Sequence, residues 1–237
     1  MITHLSNSRG MANHGWLQSA HTFSFAGYYN PERMNFGTLR VINDDTIAAG
    51  SGFGRHPHRD MEIITIPTEG SLKHEDSEGN FGVIGRGEVQ VMSAGTGIFH
   101  SEHSDESQTT KLLQIWVLPK ILGVKPRYDQ KKFSLNERKD AFQLVVSPDG
   151  RNGSLAINQD AFFSLAELSD NKDLMYTPHI SSNGAYLFIL SGSFEINGII
   201  FSSRDGIGFP SFENIDLKAS GGPGEILIME LPMNTPK

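Results

Sequence analysis

The sequence predicts an all-β protein with few helices, in which a sandwich or barrel is built twice. Three observations carry this reading. Short apolar stretches of strand length are separated by Gly, Pro, Asn and Asp, the rhythm of a sandwich or barrel. Long amphipathic helical patterns are missing. A faint internal echo also aligns Ile63–Ser71 (IITIPTEGS) with Leu187–Ser193 (LFILSGS), and a Gly-rich strand approach follows each, at Gly85–Gly87 and Gly206–Gly208.

Taken in order, Thr38–Ile42 reads as a strand ended by Asn43-Asp44-Asp45, and Met61–Pro67 as one ended by Glu69-Gly70. Glu88–Met92 and Leu112–Leu118 follow, the latter stopped by Pro119; each has strand length. From Ile121 to Glu137 the chain turns polar without clear alternation. That stretch reads as the crossing between a domain at residues 1–125 and another at 126–237. The second half repeats the rhythm at Phe142–Val146, Ser154–Ile157, Tyr186–Leu190, Phe194–Ile196 and Glu225–Leu231. Pro148-Asp149-Gly150 and Asn197-Gly198 supply turns between them.

Composition excludes several functions. Across 237 residues, 20 Lys and Arg face 27 Asp and Glu for a net charge of −7; nucleic-acid binding, which neutralises phosphates with basic side chains, is disfavoured. There is no Cys, so disulfides, thiolate metal sites and Cys nucleophiles are out of reach. Met1–Gly10 lacks the apolar core of a signal peptide, and no apolar run approaches membrane-spanning length. A cytoplasmic protein without membrane contact is expected.

The chemistry concentrates in two pairs, His56-Pro57-His58 and His100-Ser101-Glu102. Residues two apart on a strand share a face, so two neighbouring strands bring four donors to one point. Three imidazoles and a carboxylate suit a first-row transition metal better than a hard cation. Parity leaves the carboxylate open, because Glu62 can share a face with His56 and His58 while Glu102 shares one with His100.

Other histidines read more plainly. His74, beside Glu75 and Asp76, is expected in a solvated loop, His103 as an exposed neighbour of the site, and His179 in a loop of a second half that lacks the ligand pairs. His14 and His21 accompany Trp16, Phe23, Phe25, Tyr28 and Tyr29, an aromatic set expected to build core rather than line a pocket. Gln114 and Trp116 lie two apart on a strand whose inward side the sequence leaves open.

Gly50, five residues, His56-x-His58, three residues and Glu62 resemble the first cupin motif, and Gly87 through Ala94-Gly95 to His100 resembles the second. HPHRDMEI, MSAGTGIFHSE and LQIWVLP, with HTFSFAGYY and FGTLRVIND upstream, resemble the bacterial pirin-like proteins, a bicupin family. Ser93 in place of the second motif's Pro, and the wide spacing from Gly95 to His100, depart from the general cupin pattern and fit the pirin-like subgroup.

The resemblance implies two tandem jelly-roll barrels, with one divalent transition metal in the first, held by His56, His58, His100 and Glu102. Iron as Fe(II) is the implied ion; Mn, Ni, Co, Cu and Zn suit the same donors. It implies quercetinase-type dioxygenase activity on a small planar aromatic substrate with O2. A carboxylate, Glu102 or in reserve Glu62, would take the flavonol 3-hydroxyl proton before dioxygen adds and carbon monoxide leaves. With Glu102 as ligand, Glu62 would orient a ligating imidazole. The alternative implied function is a metal- or redox-responsive regulator acting through a protein partner.

Overall fold

The computed structural model describes residues 1–234. Strands dominate it, and the helical turns among the described residues are the 3-10 segments Ser6–Ser8, Leu135–Arg138 and Arg151–Gly153. Each half pairs a seven-stranded sheet with a four-stranded one, giving two double-sheet barrels as expected.

In the first barrel the large sheet runs in the order Arg127–Lys132, Glu88–Ser93, Glu62–Glu69, Thr110–Val117, Leu39–Ile47, Leu17–His21, Gly10–Asn13. The small sheet runs Gly52–His58, Ile98–Ser104, Ser71–Asp76, Phe81–Gly85. The second barrel repeats the plan around Asn183–Ser191 and Gly224–Pro232 at the centre of its large sheet. The echo seen in the sequence falls on matching places. Glu62–Glu69 and Asn183–Ser191 each turn through a positive-φ glycine, Gly70 (φ 71) and Gly192 (φ 78), into the first strand of the small sheet to follow in the chain.

Several elements differ from the sequence reading. Asn43, Asp44 and Asp45 do not end a strand; Leu39–Ile47 runs straight through them, because Asn43 and Asp45 find a cavity on one face and Asp44 pairs with Arg9 on the other. The polar crossing contains a strand, Arg127–Lys132, which pairs with Glu88–Ser93 of the first barrel. Ile2–His4 in turn pairs with Gly206–Phe209 of the second. Chain is thus exchanged across the expected division at 125/126, and the two borrowed strands occupy the same edge position in their sheets.

The large sheets pack against each other through the biggest apolar cluster, to which both barrels contribute, among them Ile64, Ile115 and Val117 from the first and Phe163, Tyr186 and Met229 from the second. The second barrel's own interior is filled by another cluster that includes Phe194, Ile196, Phe201 and Leu217. The first barrel's interior is split between two small clusters and a cavity between them, and there the polar residues gather.

Candidate metal centre

The small sheet's edge strand Gly52–His58 carries His56 and His58, and its neighbour Ile98–Ser104 carries His100 directly opposite His56. A register shift between His100 and Glu102 marks a bulge, so Glu102 faces Phe53. Bulges bend a strand and re-aim its side chains. Here the Gly54 carbonyl accepts a hydrogen bond of 2.8 Å from His56 Nδ1, which leaves His56 Nε2 as the lone-pair nitrogen. Gly52 is required for the approach, since a Cβ there would lie 2.1 Å from the Glu102 carbonyl oxygen.

The three rings converge. Ring centroids are 4.4 Å apart for His56 and His100 and 4.9 Å for each of the other two pairs, and one nitrogen from each lies within 4.8 Å of the others. Burial, then the charge of neighbouring His56, lowers the His58 pKa to about 4; burial and the surrounding imidazoles hold His100 far lower still. His58 and His100 are thereby held as neutral donors, the state a metal requires.

Behind His100 stands a residue misplaced by the sequence reading. His74 is fully buried, not solvated. Its Nδ1 lies 3.4 Å from His100 Nδ1, and its Nε2 3.3 Å from Asp76 Oδ2. Burial pushes the Asp76 carboxyl up, yet hydrogen bonds from Asn80, His74 and the Glu78 N–H hold it below its ordinary value. An ionised Asp76 accepts from His74 Nε2–H, so His74 Nδ1 accepts from His100 Nδ1–H. His100 Nε2, buried and without a partner, is then the nitrogen offered to an ion. His74 also groups with His100 and Glu102 within 4.8 Å, but both its nitrogens are engaged. Tyr128, from the strand in the polar crossing, stacks on the ring at 4.5 Å. Strand parity from Leu72 was the available signal: Leu72 and His74 are the buried positions.

Glu102 is 1% exposed. Gln114 Nε2 donates to its Oε2 at 2.9 Å, and Thr65 Oγ1 donates to Gln114 Oε1 at 2.7 Å. Burial pushes the Glu102 carboxyl up to about 7, opposed by the Gln114 bond and reinforced by the Asp45 charge. Its Oε1 has no partner. The orphaned His100 Nε2 and Glu102 Oε1, beside two more imidazoles, make a donor set that fits a divalent transition metal.

Glu62 points the other way. Fully buried, it accepts from Ser93 Oγ at 2.6 Å and from the Asn158 N–H of the second half at 3.1 Å. It contacts none of the clustered imidazoles by hydrogen bond; His74 and the Gly54 carbonyl orient those of His100 and His56. Ile63, next in the chain, faces the barrel interior with Met92 and Ile98; alternation therefore turns Glu62 toward the other barrel.

The site opens on a cavity of about 400 Å³. Trp16, Phe25, Phe53 and Trp116 form its aromatic walls, with Trp116 edge-on to both His58 and Phe25. The N-terminal aromatic set thus divides: His14, Trp16, His21 and Phe25 line the cavity, whereas Phe23 is core and Tyr29 lies exposed. Gln114 and Trp116 both face inward. The small-sheet strands of the second barrel that match the ligand strands, Asp173–Tyr176 and Ile215–Ala219, contain no His. His179 lies in an exposed connection, stacked on Phe162 at 4.3 Å, and His103 is exposed.

Two double-sheet barrels in tandem, with a histidine cluster that among the described residues lies inside the first alone, define a bicupin. Residues 3–117 match the family model for pirin, and residues 144–231 match that of the quercetinase C-terminal cupin domain. The chain is 45% identical to quercetin 2,3-dioxygenase of Escherichia coli K12, over 96% of each chain. It is 44% identical to a pirin-like protein of Caulobacter vibrioides, over 84% of this chain and 86% of that one. The crystal structure of the Escherichia coli bacterial pirin YhhW in complex with nickel(II) superposes with a TM-score of 0.91 at 42% identity, covering 98% of both chains. The chain belongs to the pirin family. Among the described residues no helix is long and apolar enough to cross a membrane.

Proposed function

We propose that the chain is a metal-dependent dioxygenase of the quercetinase type, cleaving flavonols such as quercetin with O2. His56, His58, His100 and Glu102 hold the ion, Fe(II), in the first domain, and the second domain is metal-free. The observation that carries this reading is the convergence of three imidazoles and a buried carboxyl on an aromatic-walled cavity of about 400 Å³, within the size range of ligand pockets. The nickel(II) bound by YhhW supports a divalent first-row ion, and the quercetin 2,3-dioxygenase of Escherichia coli supports the substrate class.

When bound, the ion supplies Lewis-acid polarisation and a centre for dioxygen chemistry. The chain's own residues do the rest. Trp16, Phe25 and Trp116 take the faces of a flat ring and exclude water. Glu102, its Oε2 held by Gln114, would accept the substrate's hydroxyl proton at Oε1 once that oxygen loosens from the ion. Glu62, bonded to Ser93 and Asn158, has no part in that step.

The test is oxygen-dependent loss of quercetin absorbance, with carbon monoxide measured as co-product and metal content by elemental analysis. Activity should vanish in His56→Ala and in Glu102→Gln. Retained turnover in His56→Ala would defeat the proposal, and a metal-dependent pull-down partner in the absence of turnover would transfer the site to a regulatory role.

A further inference from the structure

The large sheet of the first barrel carries a row of polar side chains across its inner face. Register places His21, Asn43, Gln114, Thr65, Gln90 and Gln130 side by side on six successive strands. Gln114 serves Glu102, but the end of the row nearest the N-terminus serves nothing described so far. There His21 and Asn43, with the adjacent pair Ser19 and Asp45, line the same cavity as the histidine cluster.

Two buried atoms at that end lack partners: Asp45 Oδ1 and His21 Nε2, on residues each 3% exposed. The polarity of His21 is fixed by its neighbour. His21 Nδ1 donates to Asn43 Oδ1 at 2.7 Å, so Nε2 carries a lone pair. Among the described residues no Lys or Arg pairs with Asp45, while its neighbour Asp44 takes Arg9 and Arg204. A buried carboxyl oxygen without a partner is destabilising, and burial pushes this carboxyl up to about 7, with the Ser19 hydroxyl opposing and Asp44 reinforcing. Apolar neighbours Leu17, Ile47 and Leu112 would be better served by a leucine. An unpartnered carboxyl oxygen and an imidazole lone pair on one wall call for a ligand that brings hydroxyl groups to it.

We propose that Ser19, His21, Asn43 and Asp45 form a hydroxyl-recognition subsite, in which Asp45 Oδ1 and His21 Nε2 accept from the phenolic edge of a polyhydroxylated aromatic ligand whose other end meets the metal centre. This rests on the flavonol reading and deepens it, because it makes the hydroxyls remote from the metal the basis of selection.

The experiment uses nickel-loaded protein under nitrogen, so that binding is read without turnover. Trp16 and Trp116, the two tryptophans of the chain, both line the cavity and report occupancy by fluorescence quenching. The probes are quercetin, a flavonol without hydroxyls on the pendant ring, and one without hydroxyls on the fused ring apart from the chelating pair. Wild type should lose roughly 10- to 100-fold in affinity for one of the stripped flavonols, the size of a lost bond to a charged or buried acceptor. Asp45→Leu should bind all three alike, at the weaker level, with nickel content unchanged and a raised Tm. His21→Phe, which keeps the ring and removes the acceptor, repeats the test should Asp45→Leu lose nickel. An unchanged affinity ratio in both variants, or equal binding of all three by wild type, overturns the subsite alone. Failure of wild type to bind any flavonol instead removes the substrate class, and the subsite with it.

Discussion

At the scale of single residues, the proposed centre depends as much on what stands behind the candidate ligands as on those ligands themselves. His100 reaches the cluster with its Nδ1–H held by His74, which is held in turn by Asp76. Such partners fix the tautomer and raise the basicity of a ligating imidazole, and their loss weakens metal affinity by ~10- to 100-fold. His74→Leu should show a loss of that size in a nickel competition titration against a chelator, with the fold retained. Undiminished affinity would reduce the His74 contact to packing. The sequence displayed the donors but not this support, for a physical reason. His74 sits in SLKHED, where Lys73 and Glu75 point outward and make the segment look solvated; only the alternation betrays the inward residue. Asp45 was hidden in the same way, since three polar residues in a row resemble a turn unless a cavity exists to receive two of them.

At the scale of elements, position is set by strand pairing and by one close approach. The edge strand Gly52–His58 must come near enough to Ile98–Ser104 to oppose His56 to His100, and Gly52 permits it. A methyl group 2.1 Å from the Glu102 carbonyl oxygen cannot be accommodated without moving backbone. Gly52→Ala should therefore lower stability by ~2–4 kcal/mol, a value in the overpacking range or slightly above, and cut bound nickel well below one equivalent. Elemental analysis after equilibration with nickel reads the second effect, and full occupancy would show that the sheet yields there at no cost to the site. Strand cores such as 62–69 and 110–117 were legible because apolar runs bounded by Gly and Pro leave few alternatives. Arg127–Lys132 was not, because an edge strand pairs through its backbone on one side only, and its side chains carry no apolar pattern. The parity of Glu62 was likewise undecidable until the second barrel supplied the Asn158 N–H that claims its carboxylate.

At the scale of the whole molecule, the two barrels are bound by shared core and by traded edge strands, so they should melt together. Ile2–His4 completes the second barrel's sheet, and His4 ties both halves: its Nδ1 lies 2.8 Å from the Tyr186 hydroxyl and its ring meets Phe23 edge-on. Burial, and then the charge of Arg33, lowers the His4 pKa from 6.5 to about 4. The unfolded chain consequently binds a proton that the folded one refuses between those values, and the contribution of this group is complete above about 6.5 and falls away as the pH drops toward 4. Removing residues 1–5 should lower the Tm at pH 7.5 by a few degrees, at about 2–4 °C per kcal/mol for a chain of this size. It should also flatten the fall in Tm between pH 6.5 and 4, while unfolding stays a single transition because the core joining the large sheets is untouched. Calorimetry across that pH range, repeated with nickel bound to the first barrel, distinguishes the outcomes. Two separate transitions, of which nickel raises only one, would mean that each barrel keeps its own stability and that the borrowed strand is merely an edge cover.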